Sequence, residues 1–132
     1  MSQELLINRL IDLARQARQA AYAPYADFKV GAAVLTADGR VFTGCNIENA
    51  SYGATICAER VAIFSAVAAG QRQIAALAVI ADTPKPVAPC GLCRQVLQEF
   101  GPDCQVIMAN LAGEYQVVPM AQLFPYPFDL SR

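Results

Sequence analysis

Three thiols and one carboxylate fall within two short segments of this chain. Cys57-Ala58-Glu59-Arg60 carries one sulfur and the acid, and Pro89-Cys90-Gly91-Leu92-Cys93-Arg94 carries the other two sulfurs. A Cys-x-x-Cys pair can chelate one ion through a single turn, so Cys90 and Cys93 offer two ligands and Cys57 a third. Three protein ligands with an open fourth position describe a catalytic zinc, whereas a structural zinc is normally closed by four. Glu59 stands beside that centre without being needed as a ligand. That is the place of an acid–base partner for a zinc-activated water. The chemistry implied is hydrolysis at a zinc centre.

Composition narrows the choice further. The chain has five cysteines and no histidine, which removes Ser-His-Asp and Cys-His catalysis and every His-based metal site. An odd cysteine count without an export signal argues for reduced thiols and metal ligation. The N-terminus Met1-Ser2-Gln3-Glu4 lacks the basic start of a signal peptide, so a cytoplasmic location is expected. A formal charge of −1 with no run of Lys or Arg speaks against a nucleic-acid partner. The 132 residues suggest one domain, residues 1–132, with no linker or repeat dividing it. Hydrophobic residues make up 55% of the chain, yet the longest apolar run, 74–81, is far too short to cross a bilayer. The apolar excess must therefore be buried inside the protein or between subunits, and an oligomer is expected.

The elements that must position the thiols follow from periodicity. Residues 3–21 read as an amphipathic helix with Leu6, Leu10, Leu13, Ala17 and Ala21 at helical spacing, ended by Pro24. Strands at 27–35 and 40–47 flank Asp38-Gly39, a hairpin signal. Val30, Ala32 and Val34 form a core stripe on the first strand. Alternation on the second places Phe42, Gly44, Asn46 and Glu48 on one face and Val41, Thr43, Cys45 and Ile47 on the other. A polar turn-rich loop spans 49–55. The helix at 57–69, closed by Gly70, is small and apolar on most sides, so a sheet or a partner helix should cover it all round. Residues 74–81 suit a central strand, 91–100 a helix, and 105–110 and 115–118 two more strands around Gly113. The tail from Phe124 to Phe128 holds two prolines and cannot be regular helix. Strands alternating with helices give an α/β layered sandwich with a mixed sheet.

Cys57 and Cys90 both start predicted helices, where unpaired amides and the helix dipole favour thiolate over thiol. Three thiolates around Zn²⁺ leave a net negative charge that weakens the metal's hold on water chemistry. An arginine beside the sulfurs counters it. Arg60, three residues after Cys57 on the same helix face, is the first choice for that role and Arg94 the second.

Cys-Ala-Glu followed by Pro-Cys-x-x-Cys resembles the zinc-dependent nucleoside and nucleobase deaminases, in which a non-ligand Glu shuttles protons for water attack on the amino-bearing ring carbon. Phe28-x-Val30-Gly31-Ala32-Ala33, Asn46-x-Glu48 and a cysteine at position 57 resemble cytidine deaminases of the small homotetrameric type. The resemblance runs from Tyr22 to Phe128. It implies a three-layer α/β/α sandwich around a mixed five-stranded sheet, and one zinc per subunit held by Cys57, Cys90 and Cys93. It also implies Glu59 as proton shuttle and Arg60 as donor to a ligand sulfur. Asn46 and Glu48 match residues that hold ribose hydroxyls, Phe28 an aromatic of the pyrimidine and sugar pocket, and Ala58 a backbone contact to the base edge. Phe128 matches a tail aromatic that reaches a neighbouring subunit's site, so that active sites are shared within a homotetramer. The implied reaction is hydrolytic deamination of cytidine and 2′-deoxycytidine. A sibling deaminase for another aminopyrimidine nucleoside, of the blasticidin type, fits the same motifs. A non-catalytic module with a Cys₄ zinc closed by Cys45 or Cys104 is the alternative outside enzymology. The strand phase and the position of Cys104 beyond its helix make both cysteines read better as core or surface thiols.

Overall fold

The computed structural model describes residues 2–130. Its elements in chain order are α1 (Gln3–Arg18), β1 (Val30–Thr36), β2 (Val41–Cys45), a 3₁₀ turn (Tyr52–Ala54), α2 (Ala58–Ala68), β3 (Ile74–Ala81), α3 (Gly91–Phe100), β4 (Gln105–Asn110), β5 (Tyr115–Pro119) and α4 (Met120–Leu123). Three expected segments, 74–81, 91–100 and 105–110, have the bounds read from the sequence. The first helix stops at Arg18, short of residue 21, and the hairpin strands are trimmed at their outer ends. The short α4 was not expected. The tail after it is without helix, as its prolines require.

The five strands lie in the order β2-β1-β3-β4-β5. Only β3 and β4 are parallel; the other neighbours are antiparallel. Helix α1 covers one face, where Leu10, Ile11 and Ala14 meet Ala33, Ala78, Ile80 and Ile107. Helices α2, α3 and α4 cover the other, where Ala62, Ile63, Ala66, Leu97 and Met120 meet Ala32, Val34, Leu77, Val79 and Val106. The expected three-layer α/β/α sandwich with a mixed five-stranded sheet is what forms. Strand alternation explains the division: β1 sends Ala32 and Val34 to the α2 face and Ala33 to the α1 face. Among the described residues no helix is long and apolar enough to cross a membrane.

The helices sit very close to the sheet, and two glycines allow it. A Cβ at Gly31 would overlap the Ala14 carbonyl oxygen of α1, and one at Gly44 would lie 2.5 Å from both Ala58 O and Ala62 N of α2. Glycine inside a strand weakens it unless another backbone must approach. Here two do, on opposite faces. The small residues Ala58, Ala62 and Ala66 give α2 a buried edge that lies against the strands, but the far side is not covered: Phe64 is 43% exposed. Of the cover all round expected from composition, the described residues supply one side.

Cys104 packs in the core beside Ile74 and Met120, and burial pushes its thiol from an ordinary 9.0 up to about 12. The folded chain thus retains a proton that the unfolded chain releases, so stability falls as pH rises from about 9 toward 12. The urea midpoint of the native chain is expected to drop more steeply above about pH 9 than that of Cys104→Ala; parallel slopes would remove Cys104 from the alkaline limb. Gly31→Ala and Gly44→Ala should each lower stability by about 1–3 kcal/mol through overpacking. Unchanged denaturation midpoints would show that the helices can lift off the strands without cost.

Candidate active site

Topology brings the two cysteine segments together. Strands β2 and β3 both run antiparallel to β1, so their C-terminal ends lie at the same end of the sheet. Helix α2 starts after β2, and α3 starts after β3, both on one face. Their N-termini therefore converge. Cys57 is the N-cap of α2 and Cys90 the N-cap of α3, both with extended backbone and neither using its sulfur as a cap. The approach to Cys57 is fixed by a reciprocal pair of backbone hydrogen bonds between Ile47 and Ile56, each 3.0 Å. That pair continues the β2 line beyond Cys45.

The sulfurs of Cys57, Cys90 and Cys93 all lie within 4.8 Å of one another. Cys57 to Cys90 is 3.7 Å, and Cys90 to Cys93 is 3.4 Å. Tetrahedral zinc with bonds of about 2.3 Å sets its sulfurs about 3.8 Å apart, so the three sulfurs are grouped on the scale that one such ion requires. Cys57 is held well below the usual thiol range, at about 5, by a hydrogen bond from Cys93 and then by Arg60 and Cys90. Cys93, buried and sharing its proton with Cys57, is pushed up instead. Metal binding expels whatever protons the three sulfurs retain. Cys45 and Cys104 lie outside this group among the described residues, so no fourth sulfur closes the centre.

Arg60 Nη2 donates to Cys57 Sγ at 3.5 Å, as expected for the arginine that offsets sulfur charge. The thiolate in turn raises the Arg60 pKa. Arg94, the second choice, goes elsewhere: its Nε donates to Pro89 O at 2.8 Å and its Nη1 to Leu123 O at 2.9 Å. Glu59 sits in the first turn of α2 and is only 4% exposed. Burial, reinforced by the Cys57 charge, raises its carboxyl to about 7. A carboxyl tuned to neutrality can both take and give a proton at physiological pH.

A cavity of about 200 Å³ opens beside the sulfurs and is lined by Phe28, Asn46, Cys57, Ala58, Glu59 and Cys90, among others. Six residues singled out from the sequence thus share one hollow. Glu48 lines the neighbouring hollow with Tyr25, Tyr52 and Thr55, and Thr55 borders both. Asn46 and Glu48 also do something that residue types did not suggest. Asn46 Oδ1 accepts from Val30 N at 2.8 Å, and its Nδ2 donates to Phe28 O at 2.7 Å. Glu48 Oε1 accepts from Tyr25 N at 2.8 Å and Ala26 N at 3.2 Å. Together they pin the segment that carries Phe28, just after Asp27 turns the chain with φ 51°. Phe128 is 68% exposed on the outer side of α3 and is not brought into the cavity of its own chain. Beside Val30 of β1, the loop residues Val87, Ala88 and Ile56 complete the lining. Sequence reading missed them because small apolar loop residues carry no chemical signal.

Comparisons with known proteins agree with this geometry. The sequence matches the cytidine and deoxycytidylate deaminase zinc-binding region over residues 6–109. It is 50% identical to cytidine deaminase of Halalkalibacterium halodurans over 129 residues, covering 97% of this chain and 95% of that protein. Identity to cytidine deaminase of Sporosarcina psychrophila is 49%, covering 95% of each chain. The crystal structure of cytidine deaminase from Burkholderia pseudomallei superposes with a TM-score of 0.90 at 51% identity, over 97% of this chain and 100% of that one. That from Mycobacterium tuberculosis gives a TM-score of 0.81 at 41% identity, over 93% and 97%. With three sulfurs spaced for zinc and an acid beside them, this chain belongs to the zinc-binding cytidine and deoxycytidylate deaminase family.

Proposed function

We propose that this protein converts cytidine and 2′-deoxycytidine, by hydrolysis, to uridine and 2′-deoxyuridine with release of ammonia, as part of pyrimidine salvage. The observation that carries the reading is the buried Glu59 beside three converging sulfurs whose open side faces a cavity. When bound, zinc supplies the Lewis acidity that makes water a nucleophile at neutral pH. Glu59 takes a proton from the attacking water as its oxygen bonds to C4 of the ring. It passes that proton to ring N3, then takes the second proton from the hydroxyl now on C4 and gives it to the amine, which leaves as ammonia as the C4–N bond breaks and the C4=O bond forms. The ring lies against Phe28, the Ala58 backbone meets the base edge, and Asn46 and Glu48 hold the ribose hydroxyls. Arg60 keeps the sulfurs from weakening the centre, through the hydrogen bond it already makes to Cys57.

The working form is read as a cytoplasmic homotetramer of single-domain chains, residues 1–132. The exposed Phe64 of α2 and the exposed tail aromatics Tyr126 and Phe128 support an assembly in which the tail reaches a neighbour's site. Burying such groups between subunits is the ordinary means of covering an apolar excess.

Purified protein is expected to release ammonia from cytidine and deoxycytidine and to contain about one zinc per chain, as a three-ligand centre requires. Zinc without turnover on either nucleoside would move the reading to another aminopyrimidine, and no zinc would overturn it. Glu59→Gln should keep its zinc and lose roughly 10²–10⁴-fold in kcat; near-normal turnover would exclude Glu59 from the proton transfers. Glu48→Gln still offers an oxygen to the Tyr25 and Ala26 amides. It should therefore raise KM for cytidine more than it lowers kcat, and unchanged kinetics would sink the ribose role.

A further inference from the structure

Arg94 does not touch a sulfur, yet it grips the residue just before one. Its Nε donates to the carbonyl of Pro89, which is buried, and its own backbone N–H donates to Cys90 O at 3.0 Å. The Pro89 carbonyl and the Cys90 nitrogen belong to one rigid planar peptide. Fixing that oxygen fixes the direction of the Cys90 N–Cα bond. Rotation about this bond, set at φ −68°, then places the Cβ, from which χ1 alone places the sulfur.

The rest of the loop is tied further from the metal centre. Val87 N donates to Ala109 O at 3.2 Å, and Asn110 Nδ2 donates to Pro84 O at 3.4 Å. Neither reaches the peptide that carries Cys90. The guanidinium also has a second anchor, the Leu123 carbonyl at 2.9 Å. This is one of the terminal carbonyls of α4, which have no partner within that helix. Helix α4 is itself fixed by the fully buried Met120, whose N–H donates to Cys104 O at 3.0 Å. Two acceptors in different directions suit the planar fork of arginine, whose Nε and Nη1 take one each, whereas lysine has only the single nitrogen of its ammonium to reach both.

We propose that Arg94 is a positioning residue of the metal centre: braced on the end of α4, it holds the Pro89–Cys90 peptide so that the Cys90 sulfur stays in register with Cys57 and Cys93. The inference rests on the zinc reading of the three sulfurs. It assigns to the second arginine a task distinct from that of Arg60, which acts on a sulfur directly.

The test uses the full zinc-loaded chain, with metal release followed by transfer to a coloured chelator. The absorption of the cobalt-substituted protein reports the sulfur geometry. Arg94→Gln is expected to release zinc about 10–100-fold faster, the usual scale for outer-shell partners of a metal, with altered cobalt bands. Arg94→Lys should fall between it and the native chain. Gln95→Ala, which removes only the neighbouring contact to Phe128 O at 3.1 Å, should release zinc at the native rate. Native release and native cobalt bands in Arg94→Gln would overturn the proposal, even if its melting temperature fell. Equal acceleration in Gln95→Ala would overturn it too, by tracing the effect to tail docking. If Arg94→Gln does not fold, Arg94→Lys decides alone, with faster release in favour and native release against. A native chain that takes up no zinc would remove the centre, and this role with it.

Discussion

Three sulfurs that must all be deprotonated at once repel one another, and the fold is arranged around that repulsion. The chain meets it with partial positive charge from several directions. Two helix N-termini end at Cys57 and Cys90, and a guanidinium lies on Cys57. A proton shared by Cys93 already steadies the first thiolate. The metal ion supplies the remaining charge. Without the convergence of α2 and α3 none of these would be in range, since dipole effects fade within the first turn. That convergence depends on β2 and β3 pointing the same way on either side of β1.

Glycine has a less visible part in the same arrangement. Gly44 lets the first turns of α2 rest against β2, and that turn carries both Cys57 and Glu59. The contact therefore decides how deeply Glu59 is buried, and burial is the main cause of its raised pKa. A missing side chain in a strand thus bears on the acidity of a carboxyl on a helix. The link between packing and proton chemistry here is short and mechanical.

Much of this was legible in the sequence because the informative residues are chemically unusual. Cys57, Glu59, Cys90 and Cys93 at their spacings leave few chemistries open, and the continuously apolar run at 74–81 has one comfortable place in a sheet. The hairpin was readable from Asp38-Gly39. What stayed hidden depends on contacts distant in sequence. Nothing local shows that Arg94 turns to Pro89 and Leu123 while Arg60 turns to sulfur, since the residue types are the same. Helix α4 has four residues, too few for any periodicity to show. The closeness demanded of Gly31 is set by Ala14 and Arg18 of α1, outside its own strand, and alternation alone could not reveal it.

The hydrogen bonds that Asn46 and Glu48 make to the Phe28 segment have a thermodynamic consequence. Both side chains are tethered to backbone amides or carbonyls of the chain itself. Immobilising a rotamer-rich side chain on binding costs about 0.5–1.5 kcal/mol. In this chain folding has already met that cost. The wall of the cavity and the groups at its rim are pre-organised together, so a ligand meets a surface with little configurational freedom left to lose.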